Sequence, residues 1–461
     1  MDSRGSKFDV LRNLFAVIIV ALFPIIFVSP ASAVPAFAQQ VGQPCSSCHV
    51  GGFGPQLTSF GRSFKLGGYT MRSGKVNIPL SGMVVTSFTR EPSGDPAPPG
   101  GSPPKRSRVN FEQASIFLAG GIGSHLGGFI QTTYDGIAKA WSWDNVDLRA
   151  VGTGQVGGKS LVYGLSLNNS PTTQDVWNTL PAWGFPYTSS PTAPGPAASP
   201  LLAGGLAQNV LGLTGYVWLD SKFYLEGGGY STPKAGTLRW LGADPLDPGD
   251  IHGLAPYGRV AFQQEVAGGT FEIGAFALKA ALFPGRDRSS GRTDRYTDLG
   301  LDGSWIKPAG KDTITINARY THEKRRLEAT CSLGIADGSI GAATVAQCSP
   351  ATLNDFRADA SYYWHNKIGL TISGFDLSGS RNSFLYPDNR VAGPGSRGLL
   401  LQLDGTLFGD GKSPLGPRVN IRAGIQYTAF TRFNGARRNF DGLGTNASDN
   451  NALRVFTWLA F

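Results

Sequence analysis

One hydrophobic pattern repeats along the chain from about residue 79 to the C-terminus. Segments of roughly ten residues alternate apolar and polar side chains and then stop at turn-forming residues. The segment Val419–Ala429 has an apolar residue at nearly every second position, and so does Ile314–Tyr320. Successive side chains of a strand point to opposite faces of a sheet, so this alternation predicts β-strands.

Sixteen such segments can be counted, and the links between them alternate in length. Short links follow the even segments, as at Gly123-Ser124, whereas long links follow most odd ones, as at Ser170–Leu206. The link Gly409–Pro417 is a longer exception. An even number of strands with short turns on one side is typical of outer-membrane barrels. The segments begin near Ile78, Val109, Gly127, Trp143, Ser160, Asn209, Lys222, Tyr257, Thr270, Asp294, Asp312, Asp355, Lys367, Arg397, Arg418 and Asn451.

Composition agrees with an all-β membrane protein. The 461 residues are 41% apolar and 16% charged, with 63 Gly and 30 Pro. The apolar and aromatic content excludes a disordered chain, and the Gly and Pro content argues against a long helical protein. Because a small interior could not hold so many apolar faces, we expect those faces to contact lipid. The prediction is a 16-stranded transmembrane β-barrel over residues 78–461.

The C-terminus and the aromatic residues fit the same architecture. The amphipathic segment Arg454–Phe461 ends on Phe and resembles the signal that outer-membrane barrels present to the barrel assembly machinery. Aromatic residues near strand ends are predicted to form an interfacial girdle in the outer membrane lipid. They include Trp218, Tyr224, Trp305, Tyr320, Trp364 and Trp458.

The N-terminus has the three parts of a secretory signal. Arg4, Lys7 and Arg12 precede an apolar run, and small residues follow it at two possible cleavage sites, after Ala33 or after Ala38. We interpret residues 1–33 as a signal peptide and predict an exported protein. Export also makes nucleic acid a poor partner, despite the net charge of +9.

The segment Cys45–His49 reads CxxCH, which is the attachment signature of c-type haem. Two thiols at this spacing can reach the two vinyl groups on one edge of a porphyrin, and the adjacent imidazole can reach the iron. A thioredoxin-like site would need a βαβ setting, and a zinc site would need further ligands nearby. We therefore predict one covalent haem c, bound through Cys45 and Cys48 with His49 as an axial ligand, in a segment spanning residues 34–77.

The second axial ligand has several candidates. The mature chain contains two methionines, Met71 and Met83, and a thioether opposite His raises the haem potential. Met83 lies in the first strand in phase with Val85 and Ser87, which favours an inward side chain. Met71 follows closely after the haem segment and is the weaker candidate, and His125 is a third.

Two further features concern the barrel itself. Cys331 and Cys348 enclose a Gly-, Ala- and Ser-rich span, which predicts a disulfide in an oxidising compartment. Charged residues on the inward phase of the strands are expected to line the interior. These are Arg259, Arg319, Arg357, Arg422, Glu272, Asp359 and Asp404.

A haem signature in front of a sixteen-strand barrel resembles the fused monohaem cytochrome–porin family of bacterial outer-membrane iron oxidases. The residues that carry the resemblance are Val34–Ala38, Cys45–His49, Leu57–Arg62 and Phe64–Thr70. The resemblance implies thioether bonds at Cys45 and Cys48, axial ligation by His49, and cleavage after Ala33.

The resemblance also implies a function. Electrons would pass from extracellular Fe(II) through one haem c to a periplasmic c-type cytochrome, with the haem segment in the periplasmic mouth or lumen of the barrel. The protein would then be an oxidoreductase of the Fe(II):cytochrome c type. Two alternatives stay open: a passive porin with a structural haem, and an outward electron conduit.

Overall fold

The computed structural model describes residues 36–73, 79–91, 107–341, 344–408 and 419–461. The predicted signal peptide and the predicted first-strand start at Ile78 lie outside the described residues. The short helices are α1 (Ala36–Val41), α2 (Cys45–Cys48), α3 (Ser59–Leu66), α4 (Ala235–Trp240), α5 (Glu328–Ala336) and α6 (Val345–Cys348). In the described part of the chain, no helix has the length and apolarity needed to cross a bilayer.

Strands make up most of the molecule. They are β1 (Leu80–Arg90), β2 (Ser107–Ile122), β3 (Leu126–Asp135), β4 (Ala140–Val156), β5 (Lys159–Asn168), β6 (Leu211–Leu219), β7 (Phe223–Ser231), β8 (Asp250–Ile251), β9 (Ala255–Val266), β10 (Gly269–Phe283), β11 (Asp294–Ala309), β12 (Asp312–Leu327), β13 (Pro350–Trp364), β14 (Ile368–Gly379), β15 (Ser396–Thr406), β16 (Asn420–Arg432) and β17 (Ala452–Ala460).

The sheet closes on itself. Each long strand pairs antiparallel with the next, β7 pairs with β9, and β1 pairs with both β2 and β17. The two-residue strand β8 adds only to the edge of β10 and was not anticipated from the alternation. The predicted sixteen-stranded antiparallel barrel is confirmed. The largest displacement of a predicted start is at β13, which begins at Pro350 rather than near Asp355.

The outer face of the wall is apolar and the inner face is polar. On β15, the side chains of Leu399, Leu401 and Leu403 are exposed, whereas the residues that alternate with them, Leu400, Gln402 and Asp404, are buried. The neighbouring strand repeats the pattern, since Ile372 on β14 pairs with Leu401. An apolar exterior around a polar interior is the arrangement by which a β-barrel spans a bilayer.

The aromatic girdle is only partly as predicted. Tyr320 and Trp364 are exposed on the outer face, but Trp218, Tyr224 and Trp458 are buried inside the barrel. The reason is strand phase: on β6, every second residue including Trp218 points inward. These three aromatic residues pack against segments of the chain that lie in the lumen.

Two segments fill much of the lumen. Residues 36–73 lie at the end of the barrel where the short turns are, and contact the β13–β14 turn through a hydrogen bond from Gly51 N to Asn366 Oδ1 (2.8 Å). The long link between β5 and β6, residues 169–210, folds inward rather than away from the wall. Asp175, Trp177 and Leu180 of this inner loop are fully or almost fully buried. The predicted long loop is confirmed, and its inward course is new.

The predicted disulfide between Cys331 and Cys348 is present, with their Cα atoms 5.9 Å apart. It joins α5 to α6 in the long link between β12 and β13. Both cysteines are fully buried against Leu327. The disulfide therefore belongs to the end of the barrel opposite the short turns.

We expect Leu401→Arg to destabilise the barrel, because Leu401 is exposed at the middle of β15. The expected loss is about 2–4 kcal/mol in the free energy of unfolding, since a cation near the bilayer midplane is poorly solvated. Urea unfolding in lipid vesicles measures it. The matched control Leu407→Arg, beyond the end of β15, should lose much less. Equal stability of the two variants would contradict a lipid-facing wall.

Candidate functional site

The CxxCH motif forms the short helix α2 and the residue that follows it. The backbone N–H of His49 donates to the carbonyl of Cys45 (2.9 Å), and His49 also forms a β-bridge with Leu57. Thr58 then caps helix α3: its hydroxyl accepts from Gly61 N (3.2 Å) and donates to Ser47 O (2.5 Å). The cap thus joins the motif to the helix after it.

Close backbone contact holds α2 against α3. A Cβ at Gly61 would lie 2.3 Å from the carbonyl oxygen of Cys48, so only glycine permits this approach. Beside this contact, Phe37 stacks on Tyr69 with ring centroids 5.1 Å apart, and Phe64 meets both rings edge-on. This small aromatic core explains why a segment of under forty residues has a defined shape.

Hydrogen bonds fix the segment to strands around the barrel. The carbonyl oxygen of Gly52 accepts from the side chain of Asn420 (3.1 Å), and the carbonyl oxygen of Phe53 accepts from Arg422 (2.7 Å). On β4, the Tyr69 hydroxyl donates to Asp147 Oδ2 (2.7 Å). Further contacts link Gln40 to Gly121, Lys65 O to Arg149, Leu66 O to Tyr216, Arg62 to Ser304 and Ser59 to Thr270.

A cavity of about 570 Å³ begins at the motif and continues along the inner wall. Cys45, Cys48 and His49 line it together with Met83 of β1. Apolar walls are supplied by Phe117, Phe129, Trp183 and Trp458, among others. Its volume is within the range of cofactor pockets, which are mostly apolar and have few polar groups. His49 Nδ1 is buried without a hydrogen-bond partner. Volume, lining and donor atoms therefore suit a porphyrin held by this motif.

Burial sets the protonation of the three motif side chains. It raises the pKa of Cys48 to about 11 and also raises the pKa of Cys45. It lowers the pKa of His49 to about 4, with the nearby backbone of Gly54 acting in the opposite direction. The imidazole is therefore neutral at physiological pH, which is the form that binds a metal. Across the described residues, no group of three or more His, Cys, Asp or Glu could hold a bare metal ion.

The structure separates the candidates for the second axial ligand. Met83 is 8% exposed and lines the cavity, with Val85 and Ser87 also facing inward as predicted from phase. The Met71 side chain is 46% exposed, and it does not line the cavity. His125 sits beside a short turn, where its Nδ1 is 3.0 Å from Val151 O. Of the three, Met83 alone shares the cavity with His49.

Sequence reasoning missed the acidic end of the cavity. Glu112, Asp135 and Asp144 line it there, beside the amide side chains of Gln131 and Asn145. Glu112 is 5% exposed, and its Oε2 has no hydrogen-bond partner. Their inward phase on β2, β3 and β4 was readable from the sequence. Their shared cavity depends on where the inner loop runs, which the sequence did not indicate.

The predicted inward charges are confirmed, but most of them are paired. Arg259 contacts Glu272 Oε1 (3.0 Å), Asp302 Oδ2 (2.8 Å) and Asp175 Oδ1 of the inner loop (3.5 Å). Arg422 contacts Asp404 Oδ2 (2.8 Å). Asp359 accepts from Asn317 (2.8 Å), Arg357 pairs with Asp355 (3.1 Å), and Arg319 donates to Thr179 O (3.2 Å). Neutralised in this way, Glu272 and Asp404 are not free to attract cations.

We expect Arg422→Gln to weaken the attachment of residues 36–73 to the barrel wall. The substitution leaves Asp404 buried without its partner and removes the hydrogen bond to Phe53 O. Loss of one partner of a buried pair costs about 3–5 kcal/mol. Urea unfolding measures the loss, and limited proteolysis measures release of residues 36–73. The control Arg397→Gln breaks an exposed pair with Asp376 and should cost under about 1 kcal/mol. Equal protease resistance in both variants would contradict this role of Arg422.

No family model and no curated protein matches this chain. Among solved structures, it is similar to OmpT of Vibrio cholerae at 11% identity and a TM-score of 0.43, over 84% of this chain and 99% of that one. An anion-selective porin from Comamonas acidovorans has 12% identity, a TM-score of 0.43 and coverage of 83% and 98%. The outer membrane channel DcaP of Acinetobacter baumannii has 11% identity and a TM-score of 0.44, over 83% of this chain and 96% of that one. At such low scores, the fold rests on the strand pairing itself: the chain is a closed, porin-like β-barrel.

Proposed function

We propose that this protein is an outer-membrane cytochrome–porin. It takes electrons from extracellular Fe(II) through one covalent haem c and passes them to a periplasmic c-type cytochrome. The short turns of outer-membrane barrels face the periplasm, so the end that holds residues 36–73 would lie on that side. A signal peptide at residues 1–33 would supply the export that haem attachment requires.

The observation that carries the proposal is the position of the CxxCH motif inside the lumen. Cys45, Cys48 and His49 line one cavity of about 570 Å³ with an inward methionine. A bound haem c supplies a one-electron redox centre whose potential depends on its axial ligands and surroundings. The wall and the inner loop supply most of the cavity lining, and His49 would offer a neutral imidazole to the iron.

The charges of the cavity favour a cationic electron donor. Glu112, Asp135 and Asp144 are at the end away from the motif. Glu112 is partly compensated by Arg454 (3.7 Å), and the other two carboxylates raise the local concentration of cations. Oxidation of Fe(II) outside the cell yields an insoluble ferric product. A wall that passes an electron while it keeps the iron out would serve such a cell.

A passive porin with a structural haem is the competing function, and its support is the porin-like barrel. The lumen argues against free diffusion at the level of the two inserted segments. There, wall side chains such as Arg259, Glu272 and Arg422 are at most 2% exposed. An open channel would leave its lining charges in contact with water.

Anaerobic mixing of the purified protein with Fe(II) tests the proposal. We expect rapid appearance of the reduced-haem spectrum, and its loss in His49→Ala but not in the control His125→Ala. Absence of reduction, together with solute uptake by liposomes that contain the protein, would favour the passive porin. A haem potential far below the Fe(III)/Fe(II) couple would favour an outward conduit. Mass spectrometry without added porphyrin mass would contradict all three.

The second axial ligand has its own test. We expect Met83→Ala to lower the haem midpoint potential, because a thioether opposite His favours the reduced iron. The near-infrared charge-transfer band of a methionine–iron bond should disappear with it. Met71→Ala is the matched control and should change neither. If Met71→Ala removes the band and Met83→Ala keeps it, the assignment is reversed.

A further inference from the structure

Lys65 is a buried cation in the segment that carries the motif. Its residue is 4% exposed, and its Nζ donates to Thr173 O (2.8 Å) and Asn178 Oδ1 (2.7 Å), both in the inner loop. The same Nζ is 5.0 Å from the centre of the Trp183 ring. The two hydrogen-bond acceptors are neutral oxygen atoms, and the Trp183 ring contributes only its π face. An ammonium has three donors, so one N–H is left over.

The charge of Lys65 has no carboxylate in contact. Over the described residues, none lies within 4.0 Å of Nζ, although Asp147, Asp175 and Glu226 act on it from farther away. Burial lowers the pKa of Lys65 to about 7. A buried ammonium is costly unless an anion or several acceptors surround it. Its surroundings therefore leave room for an anionic partner that is not part of the chain.

The cavity supplies the place for that partner. Lys65 lines it together with Cys45, Cys48 and His49, and among the described lining residues it is the one lysine, with no arginine beside it. The carboxylates Glu112 and Asp144 also line it. An anionic group of a ligand held by the motif would thus be stabilised at Lys65 and repelled by those carboxylates.

Helix geometry places Lys65 farther along the same cavity than the motif. Gly61 packs against the backbone of Cys48, and Lys65 is one turn farther along α3, about 6 Å along the axis. The propionates of haem leave the porphyrin edge opposite the two vinyl groups that cysteines bind. Lys65 lies away from the cysteines along the same cavity, where a propionate would need a hydrogen-bond donor.

We propose that Lys65 binds a propionate of the covalently attached haem and supplies its counter-charge. This inference rests on the proposed function, because it assumes haem at Cys45 and Cys48. Asn178 and Thr173 hold the ammonium in place from the inner loop. The contact thereby ties the redox group, the N-terminal segment and the inner loop together.

The test uses the full-length barrel, purified in detergent with its haem attached. Removal of a positive charge beside the haem disfavours the reduced state. We expect Lys65→Gln to lower the ratio of reduced to oxidised haem about tenfold at a fixed potential, which is about 59 mV for a one-electron couple. Lys65→Arg should keep the ratio near that of the wild type. The control Lys159→Gln removes an exposed lysine paired with Asp220 and should also keep it.

A second variant covers a failure of Lys65→Gln to fold. Asn178→Asp puts a carboxylate beside the ammonium and should lower the potential in the same direction, and the propionate bending band in the resonance Raman spectrum should shift. Attached haem with an unchanged potential in both Lys65→Gln and Asn178→Asp would overturn the role of Lys65 and leave the proposed function intact. A wild-type protein without covalent haem would overturn both.

Discussion

A closed cylinder of sixteen strands encloses more space than its own inward side chains can fill. This constraint governs the rest of the structure, because the remaining space has to hold either water or more protein. In this chain, residues 36–73 enter from the end with the short turns, and residues 169–210 enter from the long link between β5 and β6. Their junction leaves the cavity that the motif lines.

Filling the lumen forces charges out of water, and the chain compensates them locally. Arg259 meets three carboxylates, one of which, Asp175, is contributed by the inner loop. Arg422 joins the wall to the N-terminal segment through Phe53 O. These arginines also position the inserted segments, since each of them binds an inserted segment to a particular strand.

Much of this architecture was readable from local sequence. Alternation gave all sixteen long strands, and strand phase predicted that Met83 points inward, because a period of two assigns each residue to one face. The same rule applied strictly would have placed Trp218 inside, but its position near a strand end suggested a girdle. The CxxCH order at Cys45–His49 is visible in the sequence alone, and haem attachment there stays a prediction.

The course of the inner loop could not be read in this way. Residues 169–210 have no period, and their path depends on contacts with distant strands, such as Asn178 with Pro55 and Trp177 with Gln263. The acidic end of the cavity and the surroundings of Lys65 depend on that path. Long-range packing decided them, and no local signal encodes it.

The position of the N-terminal segment also imposes an order on assembly. Residues 36–73 lie inside a wall whose last seam is the pairing of β1 with β17, the first and last strands of the chain. Contacts from Tyr69 to β4 and from Phe53 to β16 span that wall from side to side. A bulky group bound to this segment would have to be attached before β1 pairs with β17. A segment that carries such a group would then be delivered to an unfinished cylinder, and the wall would form around it.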